Sequence, residues 1–248
     1  MTAVSTDGTV TCAGETLSAD LVIAADGVNS ITRRTLWSGN AVFQHRTVWR
    51  GVTPSGSVWP VRESLTLGRG MQVGVLPLPD ERVYWFLTAN ADKPNQLYAD
   101  DRAEVLRMLR HWHRPIPELV AATPEDQVLH NDIVDIDPLE TFVQDRVVLL
   151  GDAAHAMPPD LGQGACQALE DAVVLAAALA DDDLPRYDRD RRARVHPMTA
   201  AARASVTRTS NTSPLTHLAL TLTARFIPAT SWRQATAKWS NWTAPKLP

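Results

Sequence analysis

Two short, unbroken apolar runs do most to constrain what this chain can become. Residues 20–25 (DLVIAA) and 146–150 (RVVLL) are each of strand length, and neither alternates apolar with polar residues. A strand that alternates keeps one dry face. One that does not is buried on both faces, as in a sheet lying between layers. Each run ends on a turn signal, Asp26-Gly27 in the first and Gly151-Asp152 in the second. Each is followed by a helical segment, at 29–36 and 165–180. The pattern predicts an α/β chain.

Between the runs the chain changes character. Segments 43–52, 64–67, 72–78 and 82–89 read as strands separated by Pro-Ser-Gly, Gly-Arg-Gly and Pro-Asp-Glu. Apolar residues at Ala103, Leu106 and Leu109 predict a helix over 100–112, and 127–136 returns as a strand. An arm at 9–17 reads as a hairpin. Past the second run the chain is helical, at 165–180, 186–208, 214–226 and 231–239.

Composition sets outer limits. With 248 residues, 44% of them hydrophobic, the chain can bury a real core in one large domain or two small ones. A net charge of −4 argues against a nucleic-acid or anionic-membrane partner. Cys12 and Cys166 lie far apart and make no disulfide framework, which points to a reducing cytoplasm. The first residues carry no basic or apolar leader pattern, and the longest apolar run, 173–180, is too short to span a bilayer. His111 and His113 stand two apart on a helix and do not face together, so no metal is expected.

The densest motif runs from Arg146 through Asp171 and on to Ala172: RVVLLGDAAHAMPPDLGQGACQALEDA. Gly151 ends a buried strand where a missing Cβ lets a ligand approach the main chain. Asp152 follows at the carboxyl end of that strand, where α/β sheets bind ligands, and its short carboxylate suits a polyol. Pro158 stiffens the loop. Gly162 and Gly164 admit a flat ring against the backbone, and the next helix points its N-terminus, with Ala165 and Cys166, at the same place. In the other motif, DGVNSITRR, Asp26 and Gly27 make the turn, Asn29 or Ser30 can cap the helix, and Arg33 brings positive charge.

The combination D-G-x-x-S-x-x-R, then G-D-A-A-H-x-x-P-P-x-x-G-Q-G-x-x-x-A-L-E-D-A, resembles the class A flavoprotein monooxygenases of the p-hydroxybenzoate hydroxylase type, over residues 1 to about 210. The resemblance implies a partial Rossmann-like FAD-binding domain (1–40 and 127–182), interrupted by a β-sheet-rich substrate domain (41–126), with a C-terminal helical segment (183–248). It implies FAD as cofactor and NAD(P)H as co-substrate. O₂ would be split through a flavin hydroperoxide to hydroxylate or epoxidise a small aromatic substrate. By resemblance the strands at 21–25 and 146–150 are parallel neighbours with both motifs at the same end, Asp152 binds the ribityl chain, and Gly164, Ala165 and Cys166 lie along the pyrimidine edge of the flavin. Asp26 and Arg33 lie near the pyrophosphate. Trp49, Arg50, Gln72 and Tyr84 are the substrate-pocket candidates. No residue is assigned as a catalytic acid or base, and His155 reads as a structural histidine holding its loop. Arg189, Arg191, Arg192 and Arg194 read as a solvated helix face paired with Asp188 and Asp190.

The family also opens with a βαβ unit bearing G-x-G-x-x-G. Here Gly68-Arg69-Gly70 and Gly162-Gln163-Gly164 both lack the third glycine in place. The expectation is an N-terminally truncated member that holds FAD weakly alone. It would be either an inactive remnant or one part of a split flavoprotein, and its partners would be a copy of itself in a homo-oligomer or a separate chain supplying the βαβ unit.

Overall fold

A computed structural model describes residues 3–56, 58–224 and 237–246. The elements in chain order are β1 (Ala3–Val4), β2 (Thr9–Cys12), β3 (Glu15–Ser18), β4 (Val22–Ala24), α1 (Ile31–Leu36), β5 (Ala41–Val52), β6 (Ser64–Leu67), β7 (Met71–Pro77) and β8 (Val83–Asn90). They continue with α2 (Asp101–Leu109), α3 (Ile116–Ala122), β9 (Leu129–Ile136), β10 (Val143–Gln144), β11 (Val147–Leu149), α4 (Asp152–His155), α5 (Gly164–Ala180), α6 (Leu184–Thr209) and α7 (Pro214–Ala224). The chain forms an α/β fold of two compact units, one of 1–42, 134–206 and 227–248, the other of 43–133 and 207–226. Among the described residues, no helix is long and apolar enough to cross a membrane.

In the first unit β4 and β11 pair in parallel, with Val22, Ile23 and Ala24 opposite Val147, Val148 and Leu149. The two runs are therefore neighbours, and Gly27 and Gly151 follow the same end of the sheet, but β4 is not buried on both faces as its lack of alternation predicted: Ile23 is 49% exposed. All three residues of β11 are fully buried, with Leu175 and Ala178 of α5 and Tyr187 and Val195 of α6 in the same core. The Tyr187 hydroxyl donates to the Leu149 carbonyl at 2.8 Å, and burial pushes its phenol pKa up. A second small sheet, β1-β2-β3, is the hairpin arm.

The second unit is built on a five-stranded sheet in the order β6-β7-β8-β5-β9. Alternation sorts its residues onto two faces. Trp49, Val73, Val75, Trp85 and Leu87 point into an apolar core shared with Leu109 of α2 and Leu119 of α3. Gly51 is required there, because a Cβ would sit 2.9 Å from Trp85.

The structure departs from the sequence reading in three places. Helix α3 was hidden by Pro115 and Pro117, which belong to its cap and first turn, where proline removes no helical hydrogen bond. Helix α6 is no separate tail. Its Tyr187, Val195 and Met198 are fully buried, and the helix belongs to the first unit as far as Val206. Finally, 127–133 joins the second unit with the strand it begins. The helix read over 231–239 falls mostly outside the described residues.

Candidate functional site

The turn between β11 and α4 is held from behind. Gly151 has φ 62° and ψ −138°, a conformation closed to most side chains, and a Cβ there would meet Ala168 at 3.2 Å. Its amide donates to Asp171 Oδ2 at 2.7 Å, and His155 Nε2 meets the same oxygen at 2.7 Å. Arg191 Nε donates to Asp171 Oδ1 at 2.6 Å, and its Nη1 reaches Glu170 at 2.8 Å. Arg194 makes a two-pronged contact with Glu170. Burial opposes ionisation of Asp171 and Glu170, but His155 and Arg191 around the first, and Arg194 and Arg191 around the second, hold both carboxyl groups below their ordinary values.

This corrects the reading of the arginine-rich helix. Arg192 does pair with Asp188, half-buried, but Arg191 is buried and Arg194 turns inward to Glu170. His155 is the loop-holding histidine that the motif suggested.

The front of the turn is open. Asp152 is exposed, and its Oδ1 lies 3.9 Å from where a Cβ on Gly164 would stand. Pro158 leads into a single 3-10 turn, Pro159–Leu161, closed by Gly162 in the left-handed conformation at φ 63°. Helix α5 then starts with Gln163 as its cap residue, no capping side chain and no acidic residue in its first turn. Ala165 and Cys166 are exposed there. One carboxylate, bare main chain and the positive end of a long helix thus border one space. This donor set fits a polyol linked to a flat ring that gains negative charge.

The other motif is more self-contained. Asp26 Oδ2 accepts from the Ile31 and Thr32 amides at 2.9 and 3.2 Å, and Ser30 caps α1 by accepting from the Arg33 amide at 2.9 Å. Partial burial opposes the Asp26 charge, but hydrogen bonds from Ser30 and Thr32 prevail and lower its pKa. Arg33 is fully buried, with its guanidinium on the carbonyls of Val28, Gly39, Asp152 and Ala153. Arg33, read from the sequence as positive charge near a pyrophosphate, is thus the tie between the two motifs. Beside Gly27 a cleft of about 420 Å³ opens along β4, bordered by Val10, Ile23 and Asp26.

In the second unit, cross-strand register places Arg50 opposite Phe86, Val52 opposite Tyr84, Gln72 opposite Thr88 and Gly74 opposite Phe86. Arg50, Gln72 and Tyr84 thus share the sheet face away from the core. Arg50 donates to Asn131 Oδ1 at 2.6 Å. Burial raises the Tyr84 phenol pKa, and the charge of Arg50 offsets part of that. Trp49 stands on the opposite face, 1% exposed and stacked on His130 at 4.4 Å, so it is a core residue and lines no open surface. Phe86 and Arg46 share the Arg50 face and were missed. Counting by twos from Arg50 and Tyr84 would have found both.

Comparisons with known proteins show what the chain is similar to. The FAD binding domain family model matches residues 2–202. Aurachin C monooxygenase/isomerase of Stigmatella aurantiaca is 42% identical over 175 residues, covering 69% of this chain and 46% of that protein. FAD-dependent urate hydroxylase of Klebsiella pneumoniae is 35% identical over 197 residues, 72% of this chain and 50% of the enzyme. The crystal structure of Klebsiella pneumoniae HpxO complexed with FAD and uric acid superposes with a TM-score of 0.81 at 29% identity, covering 91% of this chain and 61% of that one. The chain spans about half the length of the curated relatives it matches.

Proposed function

This chain belongs to the FAD binding domain family, and on that premise we propose that it carries the flavin-facing turn and the substrate sheet of a monooxygenase acting on small aromatic or heteroaromatic rings. The observation that carries the reading is the open side of the β11–α4 turn, where the Asp152 carboxylate lies beside the bare main chain of Gly164 and the uncapped start of α5. Asp152 would hold the ribityl hydroxyls. The Gly164–Cys166 amides would face the edge of the ring system that becomes negative on reduction. When bound, FAD supplies hydride acceptance from NAD(P)H and activation of O₂; the protein supplies orientation and a dry pocket. The balance is one NAD(P)H, one proton and one O₂ consumed per hydroxylated ring, with NAD(P)⁺ and water released. On the second unit, Arg50, Gln72 and Tyr84 offer a cation, an amide and a phenol to a polar ring, with Phe86 as an apolar floor. That set suits an oxygen-bearing or nitrogen-bearing aromatic.

The test is a titration of the chain with FAD, followed by flavin fluorescence. Asp152→Ala removes a charged hydrogen-bond acceptor and should raise the dissociation constant about tenfold or more. Equal binding by the variant, or no binding by the parent, would refute the assignment. Substrate-dependent oxidation of NAD(P)H across a panel of hydroxylated and nitrogen-containing rings then tests the reaction.

A further inference from the structure

We propose that Asp171 is the positioning residue of the β11–α4 turn and sets the direction of Asp152 without touching the cofactor, an inference that rests on the flavin reading of that turn. Gly151 occupies a conformation that glycine can also leave, so local sterics do not hold it. Helix α4 is a single turn, too short to be stable by itself. Arg33 holds the Asp152 and Ala153 carbonyls from the other motif, and from behind one oxygen, Asp171 Oδ2, receives both the Gly151 amide and the His155 ring.

The other carboxylate oxygen is clamped by Arg191, whose Nη2 also donates to the Gln167 carbonyl and side chain at 3.1 and 2.8 Å. The acceptor at Nε2 selects the tautomer of His155, and its buried Nδ1 has no partner among the described residues. A fold needing only stability would be served as well by apolar residues of this volume. A network that ends on the amide preceding Asp152 serves geometry. A positioning role also predicts that Asp171 acts only through Asp152.

Two readouts on the full 248-residue chain decide this, FAD titration and amide hydrogen exchange, with urea unfolding to check that each variant folds. In Asp171→Asn the Gly151 amide should lose about tenfold or more of its protection while Val148 and Leu149 keep theirs, and the FAD dissociation constant should rise about tenfold. Adding Asp171→Asn to Asp152→Asn should weaken FAD no further than Asp152→Asn alone. Additive losses, or an unchanged dissociation constant in Asp171→Asn, overturn the proposal. If Asp171→Asn does not fold, His155→Gln takes its place, with a threefold rise expected as a rough figure and the same non-additivity. A parent chain that takes no FAD rejects the flavin reading instead. Gly151 protection then judges positioning alone: its loss in the variant supports the role and its retention overturns it.

Discussion

Leu87 and Asp171 are both completely buried, and their surroundings differ in kind. Leu87 sits in the second unit among tryptophans, valines and leucines that fill volume from sheet and helices. Those contacts are non-directional, and each contributes by area removed from water. Asp171 sits in the first unit among an amide, an imidazole and a guanidinium, each aimed at a named oxygen. Losing one partner there leaves a charge stranded. One region tolerates exchange of parts and resists loss of bulk, whereas the other resists exchange.

The largest expected effect tests the apolar side. Trp85→Ala removes a fully buried ring and should cost about 3–5 kcal/mol in urea unfolding. A loss below about 1 kcal/mol would break the volume argument. Next is Arg191→Met, which strands Asp171 and weakens Glu170. The expected cost is roughly 3 kcal/mol, at the low end for a broken buried pair because Arg194 stays on Glu170. Asp171→Asn in the same molecule should restore part of that loss. Simple addition of the two penalties would mean that the network is not a unit.

Smaller again is Gly74→Ala. Its Cβ would stand 2.0 Å from the Phe86 ring, so the ring must turn away, at about 1–2 kcal/mol. Phe86→Leu should relieve it, as expected where shape alone matters. The smallest effect is a slope. Asp171 and Glu170 have lowered folded-state pKa values, so they contribute stability above the unfolded carboxylate range, about 4. They lose that contribution as pH falls through the folded values. Unfolding free energy measured downward from pH 5 should therefore decline. Asp171→Asn should flatten the decline, and Trp85→Ala should leave its shape unchanged.

The apolar strands and the glycine turns were legible because their signals are local. An unalternating run ends where a turn residue stands, which located β4 and β11 to within a residue or two. The buried network was not legible in the same way. Arg191 looks like Arg189 and Arg192 in composition. What separates it is its place in the stripe Tyr187, Arg191, Val195, Met198, a buried helical face that can be read only by giving periodicity precedence over charge. Trp49 and Arg50 posed the opposite problem. Alternation puts neighbours on different faces, but only the helices packed against Trp49 show which face is dry. The part Arg33 plays as a tie was not legible because its partners are backbone carbonyls, which no sequence pattern displays.

The tie made by Arg33 also bears on the order in which the molecule folds. Arg33 and the Ala153 carbonyl are 120 residues apart in the chain, and the whole of 43–133 lies between them. Closing a loop of that length costs entropy before three parallel residue pairs and one side chain can repay it. The intervening unit shortens that search once it has folded, because its first and last strands, β5 and β9, are hydrogen-bonded neighbours. Its folding thus leaves fewer free residues to order when the two motifs meet. The turn around Asp152 should therefore be among the last parts to form, on a timescale set by a sheet that reaches it through a hydrogen bond from the Ile136 amide to the Ala156 carbonyl.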